Sequence, residues 1–430
     1  MIEPPSNTLA KSLPARRMKL ALRRYLPRLL LAVLTGFVTL KLADIVVGRV
    51  AHTDQRHLLR LAPEAQMRHK SNEFDYVFQT NKRGLRGPDI PFDKPPGTFR
   101  IVVLGDSFIA GYGVSDDNLL TTLLQDRIVA ERGAASAASD AVAPKVEVIN
   151  VGRVGTSTIR ELDLYETLGR RFHPDFVILA YYLGNDLAEI VQEQTHAELK
   201  EWHPDGWARR LAYGWCPNLY LEMALVRQSR RQRREFTTRN ENEIIDDVRQ
   251  EARARGRDPE SAAANYRALA PKLRADVASG MLSEQRIIDS CIEPDRLVRA
   301  LDPDDTYFER SWGRTKTHLD RLQQAVIRDA ARLVIVAIPA PFQVDRRSIT
   351  FHAALGYEVR ESWLASPPRT AIALEDWARQ AKVPCLNLTD QFRRADKPLY
   401  FIEDVHFNAE GNAAAAEAIS EFLVRKGLCP

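Results

Sequence analysis

The stretch RIVVLGDSFIAGYG, Arg100 to Gly113, decides the fold. An unbroken apolar run ends at Gly105, delivers Asp106 and Ser107, and resumes in helical spacing. Continuous β-branched runs of this kind are strands covered on both faces, as in parallel sheets, and not the alternating strands of a half-exposed sheet. Working outward, the same pattern recurs in VEVINVG (Val146 to Gly152), FVILAYYLG (Phe176 to Gly184), RLVIVAIP (Arg332 to Pro339) and CLNL (Cys385 to Leu388). Helical stretches lie between them, around Leu119 to Arg132, Ile159 to Arg171, Lys316 to Ala331 and Ala371 to Ala381. Strands alternating with helices predict an α/β protein, a doubly wound parallel sheet of flavodoxin-like α/β/α type. Ligands in such sheets bind beyond the carboxyl ends of the strands, where Ser107 and the Gly184-Asn185-Asp186 turn both fall.

N-terminal to this region, Leu29 to Gly48 is an apolar segment of about the twenty residues that span a bilayer. Lys41 and Asp44 interrupt it, but three residues apart on a helix they share a face near its far end, where a long side chain can snorkel. Residues 1–28 hold Lys11, Arg16, Arg17, Lys19, Arg23, Arg24 and Arg28 against Glu3 alone, so this tail is expected in the cytoplasm and the rest of the chain outside it. Without the tail the chain carries 54 basic and 56 acidic side chains, a balance that points away from nucleic acid as a partner. The expected organisation is a basic tail (1–28), a transmembrane helix (29–48), a linker (49–98) and a catalytic domain (99–430) with a helical insertion at 187–315. The basic run Arg227 to Arg239 is followed at once by acidic residues and reads as a solvated helix face. Cys216, Cys291, Cys385 and Cys429 lack metal-ligand spacing and are too few for a disulfide framework, and Cys385 reads as core. No metal or cofactor is expected: phosphate-loop and dinucleotide fingerprints are missing, as is a G-x-S-x-G elbow.

Four local stretches carry chemistry. Ser107 closes the first strand and opens a helix, which exposes its hydroxyl at the rim with the helix dipole behind its backbone N–H. NVGRVGTST (Asn150 to Thr158) is a glycine-bearing turn whose backbone can approach an oxyanion closely. In YLGNDL (Tyr182 to Leu187), Asn185 can offer a side-chain amide to the same oxyanion or organise a turn. FIEDVHFNAEGN (Phe401 to Asn412) sets Asp404 two residues before His406, where an acid can fix the imidazole tautomer.

With these four blocks in this order, the chain resembles the SGNH (GDSL-type) serine hydrolases over roughly Phe99 to Asp186 and Arg332 to Leu428. The resemblance implies a nucleophile at Ser107 in GDSFIAG, whose N–H joins the oxyanion hole. Gly155 is the second-block glycine, with Gly152 as the alternative, and Asn185 completes the hole. His406 would be the general base. Its orienter is Asp404 in a D-x-H register, or Glu403 in the D-x-x-H register of many members. Phe78 to Gly87, FQTNKRGLRG, is similar to a segment of membrane-anchored bacterial members and implies no known role. The expected function is extracytoplasmic, membrane-anchored hydrolysis of acyl esters, acetyl foremost, on a glycan or lipid substrate. An O-acyltransferase using the same acyl-enzyme and a non-catalytic glycan-binding module are the alternatives.

Overall fold

The computed structural model describes residues 13–50, 63–136, 145–191, 207–220, 223 and 237–428. Residues 1–12 of the tail expected in the cytoplasm, Cys429 and most of the basic run at 227–239 lie outside the described residues. Two compact units emerge, residues 1–54 with 202–229 and residues 55–201 with 230–430.

In the first unit, the helix Leu13–Val50 contains a span, Tyr25–Val47, with mean hydropathy 2.1 that is long and apolar enough to cross a membrane. Lys41 and Asp44 do share a face, with Lys41 Nζ 3.3 Å from Asp44 Oδ2.

The second unit is built on a parallel sheet. A hairpin, β1 (Gln66–Lys70) and β2 (Asp75–Gln79), precedes five parallel strands: β3 (Thr98–Gly105), β4 (Lys145–Gly152), β5 (Phe176–Tyr182), β6 (Arg332–Ile338) and β7 (Cys385–Asn387). Their order, β4-β3-β5-β6-β7, is the flavodoxin-like winding. Alternate residues of each strand enter opposite cores. Val103, Ile178 and Val336 face the helices Leu120–Ser136 and Ala409–Arg425, while Val102, Leu179 and Ile335 face Thr158–Thr167, Asp305–Arg328 and Arg369–Ala381. The chain turns back past β3 on its way from β4 to β5, so the carboxyl ends of β3 and β5 diverge into a crevice.

Boundaries move where caps outrank hydrophobic spacing. The helix expected from Lys316 starts at Asp305, because Asp304 accepts the Tyr307 N–H at 2.9 Å and nucleates the first turn. Cys385 is only half-buried, since β7 is the short edge strand. Within the insertion, helices Glu241–Ala254, Pro259–Ala268 and Glu284–Ile292 enclose an apolar cluster of their own around Ile244, Val248, Tyr266 and Ile287. Arg239, at the end of the basic run, pairs with Asp247 and Glu284.

Candidate active site

β3 ends at Gly105, and Asp106 accepts the Phe108 N–H at 2.9 Å, capping a single turn, Ser107–Ala110. That turn holds Ser107 at the crevice between β3 and β5. Across from it, Ser107 Oγ lies 2.6 Å from His406 Nε2, and His406 Nδ1 bonds Asp404 Oδ1. A carboxylate can only accept, so Nδ1 carries the proton and Nε2 is left to accept from the Ser107 hydroxyl. The ring is wedged between Phe108 and Tyr112, with centroids 5.2 and 4.7 Å away.

Asp404 is buried and doubly engaged. Oδ1 also accepts the backbone N–H of His406 at 3.0 Å, and Oδ2 receives Arg286 Nη2 at 3.2 Å. Burial opposes its ionisation, but the charges of His406 and Arg286 and the His406 hydrogen bonds outweigh it and hold the carboxyl well below its ordinary range. Glu403 is elsewhere, its carboxylate taking the Asn72 side-chain amide at 2.9 Å.

The oxyanion candidates line the same cleft of about 290 Å³ as Ser107 and His406. Gly155 sits in an open turn at φ +69°, a conformation that favours glycine. Gly152, its alternative, is a packing glycine: a Cβ there would lie 2.4 Å from the backbone nitrogen of Ala110, against the turn that carries Ser107. Asn185 lines the cleft and donates its Nδ2 to Glu189 Oε1 at 3.0 Å.

Three further residues brace this constellation, and none is evident from the four blocks. Arg286 reaches in from the insertion, held on its far side by His352 Nε2 at 3.4 Å. Burial, helped by the Arg286 charge, pushes His352 down to about 3, which keeps this ring neutral and able to accept. Arg86, from the stretch without a known role, has a fully buried side chain and donates to the carbonyls of Ala110 and Val114 and to Asp116. It thereby clamps the loop that follows Ser107.

Glu73, in the β1–β2 turn, accepts three successive N–H groups of the loop bearing Asp404: Ile402 at 2.6 Å, Glu403 at 2.8 Å and Asp404 at 2.9 Å. Burial, against the pull of those donors, pushes its carboxyl up to about 7. A folded-state value above the ordinary carboxyl range means that folding retains a proton here. This contribution to stability is therefore full at acid pH and is lost as pH rises toward about 7. Glu73→Gln removes that titration and aims an amide donor at backbone donors. Its expected effect is a kcat lower by about tenfold or more with little change in KM, and a flatter dependence of Tm on pH between about 4.5 and 7. Steady-state kinetics and thermal melts across that range check both.

No protein-family model matches this chain, and no curated protein does. Solved structures similar to it include esterases, acylhydrolases and a protein of the G-D-S-L family from Desulfitobacterium hafniense. The psychrotrophic esterase EstA from Pseudoalteromonas sp., solved with monoethylphosphonate as inhibitor, is 11% identical, with 76% of this chain and 98% of that one covered and a TM-score of 0.32. The lipase/acylhydrolase from Enterococcus faecalis is 11% identical, with 76% and 96% covered and a TM-score of 0.33. The acetyl xylan esterase AlAXEase is 11% identical, with 75% and 98% covered and a TM-score of 0.32.

Proposed function

We propose that this chain is a membrane-anchored serine esterase of SGNH type that cleaves acyl esters, acetyl foremost, of a glycan or lipid outside the cytoplasm. The observation that carries the reading is the hydrogen-bonded series from Ser107 Oγ through His406 to Asp404, opening on one cleft. His406 takes the hydroxyl proton as Ser107 attacks the ester carbonyl. The oxyanion then forms within reach of the backbone N–H groups of Ser107 and Gly155 and the Asn185 amide. The resulting imidazolium is stabilised by Asp404 and passes its proton to the leaving alcohol, and water repeats the sequence to release the acid.

The cleft walls combine Glu189, Ser283, Gln285, Asp289 and Arg296, groups that hydrogen-bond hydroxyls, with apolar Tyr112, Leu297, Phe342 and Tyr357, and about 290 Å³ suits a short acyl group with part of its alcohol. Tail charge and the apolar span support a cytoplasmic N-terminus, with the linker and catalytic domain on the other side.

Incubating the chain in detergent with an acetylated sugar, with and without a second sugar as acceptor, tests the function. Hydrolysis is expected in both cases. Acetyl appearing on the acceptor in place of free acetate would assign the O-acyltransferase chemistry instead, and inert ester with intact folding would leave a binding module. For placement, the full chain should resist extraction by high salt and need detergent, whereas an interfacial basic helix would be partly released by salt. A reporter fused after Arg60 should register outside the cytoplasm, and a cytoplasmic signal would overturn the topology.

A further inference from the structure

The polar pair in the apolar span has an unexpected partner within its own unit. Asp44 is only 1% exposed although it sits on a helix whose apolar side chains are otherwise open. Its Oδ1 accepts the Leu219 N–H at 3.0 Å, and its backbone carbonyl accepts the Asn218 side-chain amide at 3.2 Å. Lys41 Nζ donates to the Trp215 carbonyl at 2.6 Å. The Trp215 ring meets Phe37 edge-on with centroids 5.7 Å apart. Two charges that would be costly in a spanning helix are thus satisfied by a second segment, residues 207–220.

That segment opens with the helix Trp207–Trp215, which presents an apolar stripe. Trp207, Leu211 and Trp215, spaced four apart and so on one face, are 81%, 64% and 43% exposed. Large apolar side chains are not left in water as a contiguous stripe without a partner. The stripe begins where Phe37 touches Trp215, so it continues the lipid-facing surface of the spanning helix, and tryptophan is the residue that belongs at a membrane–water interface. We infer that the helix Trp207–Trp215 is a second membrane contact, lying in the phospholipid interface with Trp207, Leu211 and Trp215 toward the acyl chains and fastened to the spanning helix through Asp44 and Lys41. This rests on the anchoring proposed above. It makes the anchor a pair of helices drawn from two distant parts of the chain.

The test uses the full chain reconstituted in phosphatidylcholine/phosphatidylglycerol vesicles whose phosphatidylcholine is brominated near the top of its acyl chains. Bromine quenches tryptophan only at close range. Tryptophan emission should be strongly quenched, and the double variant Trp207→Phe/Trp215→Phe should lose most of the quenchable emission while hydrolysing a soluble ester at the parent rate, which shows that it is folded. Asp44→Asn should weaken quenching without abolishing flotation. A chain that floats with the vesicles but shows the same quenching in the double variant overturns the second contact and leaves the anchor standing. A chain that does not float overturns the anchor, and the second contact with it.

Discussion

Ser107→Ala is expected to lower kcat for a soluble acetyl ester by a factor of about 10⁶, with the fold and the affinity for substrate nearly unchanged. The size follows from what is removed. Ser107 Oγ is the hydroxyl that His406 Nε2 meets at hydrogen-bond distance in the cleft, 2.6 Å away, so in the proposed mechanism its loss leaves the base no nucleophile to activate. The substitution leaves a small space beside a residue already on a capped turn. Asp106 still accepts the Phe108 N–H, and Gly152 still packs against Ala110. The backbone N–H at position 107 also stays, so binding and a small residual rate from the remaining oxyanion donors are retained. An organophosphonate should add once per chain, at Ser107, and not at all to the variant, as intact mass before and after treatment would show. Undiminished turnover by Ser107→Ala would sink the hydrolase reading.

What the sequence shows and what it hides divide along a physical line. The three central strands are legible because both faces are covered, so their residues run apolar, as in β3 from Ile101 to Leu104, in β5 from Phe176 to Tyr182 or in β6 from Leu333 to Ile338. Ser107, Asn185, Gly155 and His406 are legible because each sits within a few residues of a strand end or a helix start. Arg286 is not. It meets Asp404 across 118 residues, from a helix whose own periodicity speaks only of its apolar cluster. Glu73 is hidden for the same reason, 329 residues from the first N–H it accepts in the loop it holds. A signal for its hairpin does exist: in Asp75–Gln79, Tyr76 and Phe78 are buried and alternate with exposed neighbours, and Ser71-Asn72 supplies the turn. Arg86 leaves no such trace, since an arginine in a glycine-bearing loop reads as solvated until the carbonyls it binds are seen.

The choice between Asp404 and Glu403 yields the sharpest remaining test, because the two carboxylates are adjacent and differ in everything they touch. In Asp404→Asn the side chain cannot keep an oxygen toward both of its partners. Arg286 Nη2, a donor only, favours the amide oxygen at the position of Oδ2, which turns the Asn NH2 toward His406 Nδ1. An amide donor facing Nδ1 selects the tautomer with its proton on Nε2, and that nitrogen can then no longer accept from Ser107. The expected cost is about 10⁴ in kcat. The backbone N–H of His406, which now bonds Asp404 Oδ1 at 3.0 Å, would face the same donor and add to the loss. Glu403→Gln changes one acceptor that serves Asn72 in a solvent-accessible contact, so the rate should move by no more than about twofold, in line with the small energies of such polar contacts. Measuring kcat for both variants, with circular dichroism to confirm folding, decides the register. A large loss in Glu403→Gln with near-parent turnover in Asp404→Asn would place the orienting carboxylate one residue earlier and would require the loop held by Glu73 to rearrange before catalysis.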